Sequence, residues 1–186
     1  MKEISFLPFP ALSTGRLVLR QLTLNDGQEI FELRSDERVL QHLIISKCKN
    51  LNEAKQFIEM INGGINRDEW IYWGITENGN DTLIGTFCIW HISKENSRAE
   101  VGYALHPDHQ GKGIMNEAMD VALDYGFNVM QLHSVEANVD PGNIASIKLL
   151  EKKGFVKEAH FKENLFYNGK FLDSAIYSLI NPAEKV

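Results

Sequence analysis

The first third of the chain shows hydrophobic spacing typical of one strand followed by helices. Over residues 16–24 apolar and polar positions alternate with one slip, which predicts a half-buried strand. Asn25 and Gln28 have the spacing of a capping box, so we expect a first helix to begin there. A second helical pattern follows Asn50, and the pair Gly63–Gly64 predicts its end.

The middle of the chain changes to strand patterns. Residues 70–76, 82–92 and 98–105 are rich in β-branched and aromatic residues, and the first two flank the turn sequence Asn78-Gly-Asn-Asp81. The three strands are therefore predicted to form an antiparallel meander. The rest of the chain alternates helical and extended patterns, which predict a helix at 114–129, a strand at 132–139, a helix at 143–153 with Ile144, Ile147 and Leu150 facing inward, and strands at 155–166 and 170–180.

The element order is therefore β, α, α, β, β, β, α, β, α, β, β. A strand, a helix and a further strand in the middle imply a parallel crossover inside an otherwise antiparallel sheet. We expect an α/β (α+β) fold with a mixed, twisted sheet of about seven strands and about four helices. Residues 1–186 are interpreted as a single domain, in which residues 1–13 form a proline-punctuated arm that packs its phenylalanines on the domain surface.

Composition narrows the class of protein. A net charge of −6 argues against a general nucleic-acid binder, which would show a basic surface. Cys48 and Cys88 lie in no metal-binding or disulfide motif, so we expect reduced thiols and no metal site. No apolar run approaches the length of a membrane span. These features lead us to expect a cytoplasmic protein with no membrane or direct nucleic-acid partner.

The stretch from Glu100 to Glu117 carries the clearest chemical signal. It reads as a strand, a turn and a helix start, with Gly111 and Gly113 on either side of Lys112. Glycines allow backbone N–H groups to converge on an oxygen, and a helix N-terminus adds partial positive charge, which is the design of an anion cradle. The spacing fits neither the ATP-type phosphate loop nor the dinucleotide fingerprint.

The segment Gln110-x-x-Gly113-x-Met115 resembles the Gln/Arg-x-x-Gly-x-Gly/Ala loop of the GNAT superfamily of acetyl-CoA-dependent N-acetyltransferases. Met115 departs from that pattern, because the family usually has a small residue at this position. The resemblance covers residues 14–180, since the order and lengths of the predicted elements match the GNAT fold. The segments that resemble the branch containing ribosomal-protein N-terminal acetyltransferases are Ala99–Leu105, Gly113-x-x-Asn116-Glu117-Ala118, Asn143-x-x-Ser146 and Leu150–Phe155.

The resemblance implies which residues bind acetyl-CoA. The pantetheine arm is expected along the strand at Tyr103 to Leu105. The pyrophosphate is expected on backbone N–H groups of the loop from Gln110 to Met115, with Lys112 adding a charge-assisted contact. Asn143 and Ser146 are expected near the pantetheine and the thiol end. The alternative is that Asn143 is only a helix N-cap, and the two roles are compatible. The implied cofactor-binding residues are Tyr103, Ala104, Leu105, Gln110, Gly111, Lys112, Gly113, Ile114, Met115, Asn143 and Ser146.

The resemblance also implies a catalytic base. Glu100 occupies the place of the strand glutamate that serves as base in many GNAT enzymes. The alternatives are that Glu100 is an exposed strand-end residue or an ion-pair partner of Arg98, or that a water molecule alone accepts the proton. His106 and His109 could exchange protons, but their turn is typical of a solvated loop.

The general acid is expected to be Ser146. Many GNAT enzymes use a tyrosine four residues after this position, where this chain has Leu150. The ribosomal-protein branch can place the matching serine near the thiolate, and in some members a later glutamate pairs with it. That glutamate corresponds to Leu165 here, so transfer of their mechanism is incomplete.

These features predict an acetyl-CoA-dependent N-acetyltransferase that acetylates a primary amine directly in a ternary complex. By resemblance the acceptor is a protein N-terminal α-amine, and the alternative is a small amine such as a polyamine, amino sugar or antibiotic. A third interpretation is a CoA-binding module that has lost catalysis. The chain could act as a monomer or a homodimer.

Overall fold

The structure is a computed structural model that describes residues 4–184. It contains one mixed sheet of eight strands and five α-helices, so the predicted fold class is confirmed with slightly more elements than expected. The strands are β1 Leu12–Ser13, β2 Leu17–Arg20, β3 Ile71–Glu77, β4 Leu83–Ser93, β5 Arg98–Leu105, β6 Ser134–Val139, β7 Val156–Tyr167 and β8 Lys170–Ile180. The helices are α1 Gly27–Leu33, α2 Glu37–Leu40, α3 Leu51–Asn66, α4 Ile114–Asp124 and α5 Ile144–Lys152.

The strand order across the sheet is β1-β2-β3-β4-β5-β6-β8-β7. The predicted meander of β3, β4 and β5 is confirmed, and Gly79 at the β3–β4 turn has φ +80°. A glycine suits this turn because other residues are strained at positive φ. The predicted parallel crossover is also confirmed, because β5 and β6 are parallel neighbours connected through α4.

The parallel pair stays together for only a short distance. Its ladder comprises three residue pairs, from Arg98 and Ser134 to Glu100 and Glu136. β5 continues to Leu105 and remains paired with β4, while β6 continues to Val139 and remains paired with β8. The two strands therefore diverge beyond Glu100, and the side of β5 that faces β6 is left open for a ligand.

The N-terminal arm differs from the prediction. Phe6 is fully buried in the core instead of lying on the surface. Its backbone N–H donates to Asp68 at 2.7 Å, and the Trp73 indole N–H donates to the Pro10 carbonyl at 2.8 Å. The arm then supplies β1, which is the eighth strand that the sequence pattern did not reveal.

Two helix boundaries were also predicted wrongly. The capping box lies at Thr23 and Asp26, where Asp26 accepts from the Thr23 backbone N–H at 2.6 Å. Asn50 caps α3 as expected, but the helix runs through Gly63–Gly64 to Asn66. Gly64 fits there because the Trp70 ring occupies the space that a Cβ atom would take.

The end of the chain follows the prediction more closely. α4 continues as a π-helical turn, Tyr125–Val129, and β7 pairs with β8 around Gly169. In α5, Leu150 is fully buried, whereas Ile144 is 56% exposed and does not face the core as expected. Within residues 4–184, no helix is both long enough and apolar enough to cross a membrane.

Candidate active site

Two cavities meet where β5 diverges from β6. The smaller, about 500 Å³, is here called the loop cavity and lies between the segment that follows β5 and the start of α5. The larger, about 910 Å³, is here called the wide cavity and is enclosed by α1, α3, the segment Leu40 to Ile45, the face of the sheet and the β7–β8 hairpin. The residues shared by both cavities are Gln41, His42, Leu43, Tyr103 and Ala104.

The loop cavity has the backbone geometry of an anion cradle. Gly111 and Gly113 have φ +72° and +76°, and a Cβ atom added at Gly111 would meet nothing within 4 Å. Gly113 is the N-cap of α4, so the first backbone N–H groups of the helix are available to a ligand. The Gln110 side chain closes the loop by donating to the Leu105 carbonyl at 3.2 Å.

Side chains from the start of the domain hold this loop from behind. Arg16 donates to the Lys112 carbonyl at 3.2 Å and to the Glu117 carboxylate at 2.6 Å. The Thr14 hydroxyl donates to the other carboxylate oxygen. The hydrogen bonds from Thr14 and Arg16 lower the pKa of Glu117, which keeps this support charged.

The predicted cofactor-binding residues are brought together in the loop cavity. All of them line it except Lys112. Met115, the departure from the family pattern, is buried in the core as well as bordering the cavity. Arg38 lines the same cavity, but it lies on the short helix α2, which the hydrophobic pattern did not predict.

A pair of hydroxyl groups lies at the boundary between the cavities. The Tyr103 and Ser146 oxygens are 2.7 Å apart, and the Tyr103 ring stacks on Phe87. Burial raises the pKa of Tyr103 to about 12, so its hydroxyl stays protonated. Asn143 caps α5 by accepting from the Ser146 backbone N–H at 3.1 Å, and this fixes where Ser146 stands.

Glu100 lies on the floor of the wide cavity and does not pair with Arg98. Arg98 instead bonds Glu136 at 2.6 Å, and the Glu100 carboxylate bonds His91 Nδ1 at 2.9 Å. Burial raises the pKa of Glu100, and the His91 hydrogen bond partly offsets that rise. A carboxylate with a raised pKa is a better proton acceptor than an ordinary one.

His91 can bond Glu100 because the backbone of β4 is irregular there, which the sequence pattern did not predict. It has φ +47°, its ring stacks on Trp90 with centroids 4.0 Å apart, and the β4–β5 register shifts between Trp90 and Ser93. In a regular strand the neighbours Trp90 and His91 would point to opposite sides of the sheet. The irregular backbone instead lets both line the wide cavity.

His42 is a second residue that the sequence reasoning missed. Its Nδ1 lies 2.6 Å from the Asp140 carboxylate, although the two residues are 98 positions apart. Asp140 also accepts from the Gly142 backbone N–H at 2.8 Å, in the turn that leads to Asn143. His109 lies on the turn Pro107–His109 and His106 is its N-cap, and neither residue lines either cavity.

Three further residues considered in the sequence analysis, Leu150, Leu165 and Cys88, behave as ordinary packing residues. Leu150 is fully buried, and Leu165 lies on the wall of the wide cavity. Cys88 lies on the same wall, where burial raises the pKa of its thiol to about 12. A thiol that stays protonated is a poor nucleophile. Among residues 4–184 no cluster of three or more histidine, cysteine, aspartate or glutamate side chains is arranged to hold a metal ion.

Comparison with known proteins identifies the type of domain. The family model for the acetyltransferase (GNAT) domain matches residues 16–156. An uncharacterized N-acetyltransferase, YoaA, of Bacillus subtilis is 32% identical over 176 residues, covering 95% of this chain and 99% of that protein.

Two solved structures share the fold and some of the sequence. The ribosomal-protein-S5-alanine acetyltransferase from Vibrio fischeri is 26% identical with a TM-score of 0.81, covering 95% of this chain and 100% of that one. The spermidine N-acetyltransferase from Vibrio cholerae, in complex with CoA and spermine, is 26% identical with a TM-score of 0.79, covering 90% of this chain and 96% of that one.

Proposed function

This chain belongs to the GNAT family of acetyltransferases, and on that premise we propose that it transfers the acetyl group of acetyl-CoA to a protein N-terminal α-amine. The enzyme is an N-acetyltransferase and acetyl-CoA is its co-substrate. The choice of a protein N-terminal α-amine as the acceptor is supported by the geometry of the site.

The observation that carries the proposal is the wide cavity. Its volume of about 910 Å³ is near the top of the range typical of small-molecule sites, so it has room for the first residues of a peptide. Apolar and aromatic side chains form much of its wall, among them Phe57, Tyr72 and Trp90. Glu100 lies on its floor, and the other end opens toward the loop cavity.

Acetyl-CoA supplies an activated acyl group on a thiol that leaves readily. The loop from Gln110 to Met115 would hold the pyrophosphate through backbone N–H groups, and the open side of β5 at Tyr103 to Leu105 would hold the pantetheine arm. The glycine geometry of the loop fits such a group, because the space in front of Gly111 is open.

The acceptor amine must lose a proton before it can attack. An α-amino group has an ordinary pKa near ~8, so a single carboxylate is a sufficient base. Glu100 accepts this proton, and His91 stabilises the ionised carboxylate. The Ser146 hydroxyl, bonded to Tyr103, donates a hydrogen bond to the departing sulfur. Acetyl transfer is direct, since the Cys88 thiol stays protonated and no other cysteine lines the wide cavity.

A small polyamine is the second candidate acceptor. Three carboxylates, Glu100, Asp140 and Asp173, line the wide cavity and outnumber the two cationic side chains there, Arg34 and Lys170. This excess of negative charge would favour a ligand with several positive charges. The spermidine N-acetyltransferase of Vibrio cholerae has the same fold.

The two acceptors can be separated in one assay. The chain is incubated with acetyl-CoA and peptides that begin with alanine or serine, with the same peptides blocked by N-acetylation, or with spermidine, and free CoA is measured with a thiol reagent. We expect CoA release with the free peptides and none with the blocked ones, and mass spectrometry should place the acetyl group on the α-amine. Turnover confined to spermidine would replace the first proposal with the second.

A further inference from the structure

The groups assigned to the two ends of the reaction lie in different cavities. Glu100 lines the wide cavity and not the loop cavity, whereas Ser146 lines the loop cavity and not the wide one. For acetyl transfer between these two groups, the amine and the sulfur would have to meet at the boundary between the cavities. Of the five residues that line both cavities, His42 is the one whose type commonly exchanges protons near neutral pH.

The His42 ring is held in a defined orientation. Asp140 Oδ2 lies 2.6 Å from Nδ1, and Asp140 is itself fixed because Oδ1 accepts from Gly142 and its carbonyl accepts from the Asn143 N–H, each at 2.8 Å. An ionised carboxylate only accepts hydrogen bonds, so Nδ1 carries the proton in the neutral ring. Nε2 is then the atom with a free lone pair, as in other histidines that an aspartate orients.

We propose that His42, oriented by Asp140, carries a proton from the acceptor nitrogen to the CoA sulfur. This inference rests on the acetyl-transfer function proposed above. It adds a catalytic residue at the point where the two substrates meet, and it assigns separate tasks to Glu100 and His42.

The proton count requires two acceptors. The ammonium group loses its first proton to Glu100, which passes it to solvent. The neutral nitrogen then bonds to the acetyl carbon, and the C–S bond breaks with its electron pair remaining on sulfur. The surplus proton on nitrogen passes to His42 Nε2 and from there to sulfur, which leaves an amide, the CoA thiol and a neutral His42.

Glu100 is poorly placed for the second task. It is hydrogen-bonded to His91 on the floor of the wide cavity and does not line the loop cavity. Tyr103 is at the boundary, but burial keeps its hydroxyl protonated, so it can donate a hydrogen bond without accepting a proton. Arg38 and Arg34, each on the wall of one cavity, are permanently charged.

His42→Asn tests the proposal, because asparagine Nδ2 takes the position of His42 Nδ1 and can still donate to Asp140, whereas an amide cannot carry a proton. We expect kcat to fall roughly 100-fold or more, in the range of lost general acid–base catalysis, with the KM for acetyl-CoA within about 2-fold of wild type. The matched control is His160→Gln. His160 forms a similar pair with Asp173 at 2.7 Å but lines neither cavity, so its loss should leave kcat unchanged.

His42→Ala provides a second readout. Added imidazole should restore part of its kcat if proton transfer is what was lost, whereas a merely structural role would not respond to imidazole. Melting temperature and CoA affinity are measured on both variants. A His42→Asn enzyme with wild-type kcat, or one whose defect lies only in KM or melting temperature, would overturn this role and leave the acetyltransferase intact. A wild-type chain that turns over no amine would overturn both.

Discussion

The loop cavity and the wide cavity are built in different ways. The anion cradle of the loop cavity depends on backbone groups within one continuous segment, Gln110 to Met115, and on the left-handed conformation of Gly111 and Gly113. The wide cavity depends on side chains that come from α1, α3, the segment Leu40 to Ile45, the sheet and the β7–β8 hairpin. A site made of backbone tolerates changes of side chain but not of backbone conformation, whereas a site made of side chains has the opposite sensitivity.

The largest expected effect is in the wide cavity. Glu100→Gln removes the proposed base while keeping the size of the side chain, so kcat/KM should fall by roughly 100- to 10,000-fold with little change in CoA affinity. Steady-state kinetics and calorimetric titration with CoA measure the two quantities.

Glu136→Gln is the matched control for that change. Glu136 is the cross-strand neighbour of Glu100 and lines neither cavity, so its neutralisation should leave most of the activity in place. Equal losses in the two variants would mean that the charge of the sheet face matters and not a base at position 100.

Gly113→Val attacks the loop cavity instead. A branched residue at φ +76° costs about 1–3 kcal/mol and distorts the cradle, so we expect CoA affinity to fall roughly 5- to 150-fold. Isothermal titration with CoA measures this loss directly.

Gly79→Val is the control that distinguishes general backbone strain from a specific loss of CoA binding. Gly79 has φ +80° in the β3–β4 turn, outside both cavities, so this variant should lose similar stability and keep its CoA affinity. Unaltered affinity in the Gly113 variant would show that the phosphates bind elsewhere.

Tyr103→Phe affects the boundary between the cavities. It removes the hydroxyl partner of Ser146 and keeps the ring on Phe87, so kcat should fall roughly 2- to 12-fold, the worth of one hydrogen bond. Tyr125→Phe, a buried tyrosine outside both cavities that packs on Trp73, should have no such effect on kcat. Equal rates for the Tyr103 variant and wild type would remove the hydroxyl pair from the mechanism.

The smallest effect is expected at His91. Its hydrogen bond lowers the pKa of Glu100, so His91→Gly, which removes the imidazole that bonds the carboxylate, should let that pKa rise further. The base must be ionised to act, and the acidic limb of the kcat/KM profile should therefore move to higher pH while the alkaline plateau stays the same. Glycine also tolerates the left-handed backbone at this position. A profile that does not move would mean that Glu100 does not control the limb.

The same difference between the cavities explains what could be predicted from sequence. The cradle lies within a few consecutive residues whose types require that conformation, so Gly111, Gly113 and the start of α4 could be identified without a structure. Asn143 could also be predicted as the N-cap of α5, since a helix N-cap is a local signal, whereas Ser146 was assigned through the family resemblance alone. The hairpins were also predicted, because their turn sequences are local signals.

Long-range partners could not be predicted. His42 meets Asp140 only because the segment between α2 and α3 crosses the end of β6, and His91 meets Glu100 only because β4 is irregular at that point. The burial of Phe6 depends on tertiary packing that proline-rich local sequence does not reveal. The glycine pair in α3 suggested a helix end, but the contact of Gly64 with Trp70 supplies a packing reason for glycine inside a helix.

The short ladder between β5 and β6 has a consequence for exchange of backbone hydrogens with solvent. Three residue pairs connect two otherwise well-paired halves of the sheet, so the β6-facing amides beyond Glu100 have no ladder partner to slow their exchange. A deuterium label should therefore enter the stretch from Val101 to Leu105 faster than it enters the centre of β4. Bound acetyl-CoA would cover the open edge of β5. Deuterium uptake should then slow at those amides that the ligand covers, and the affected residues would mark where it lies.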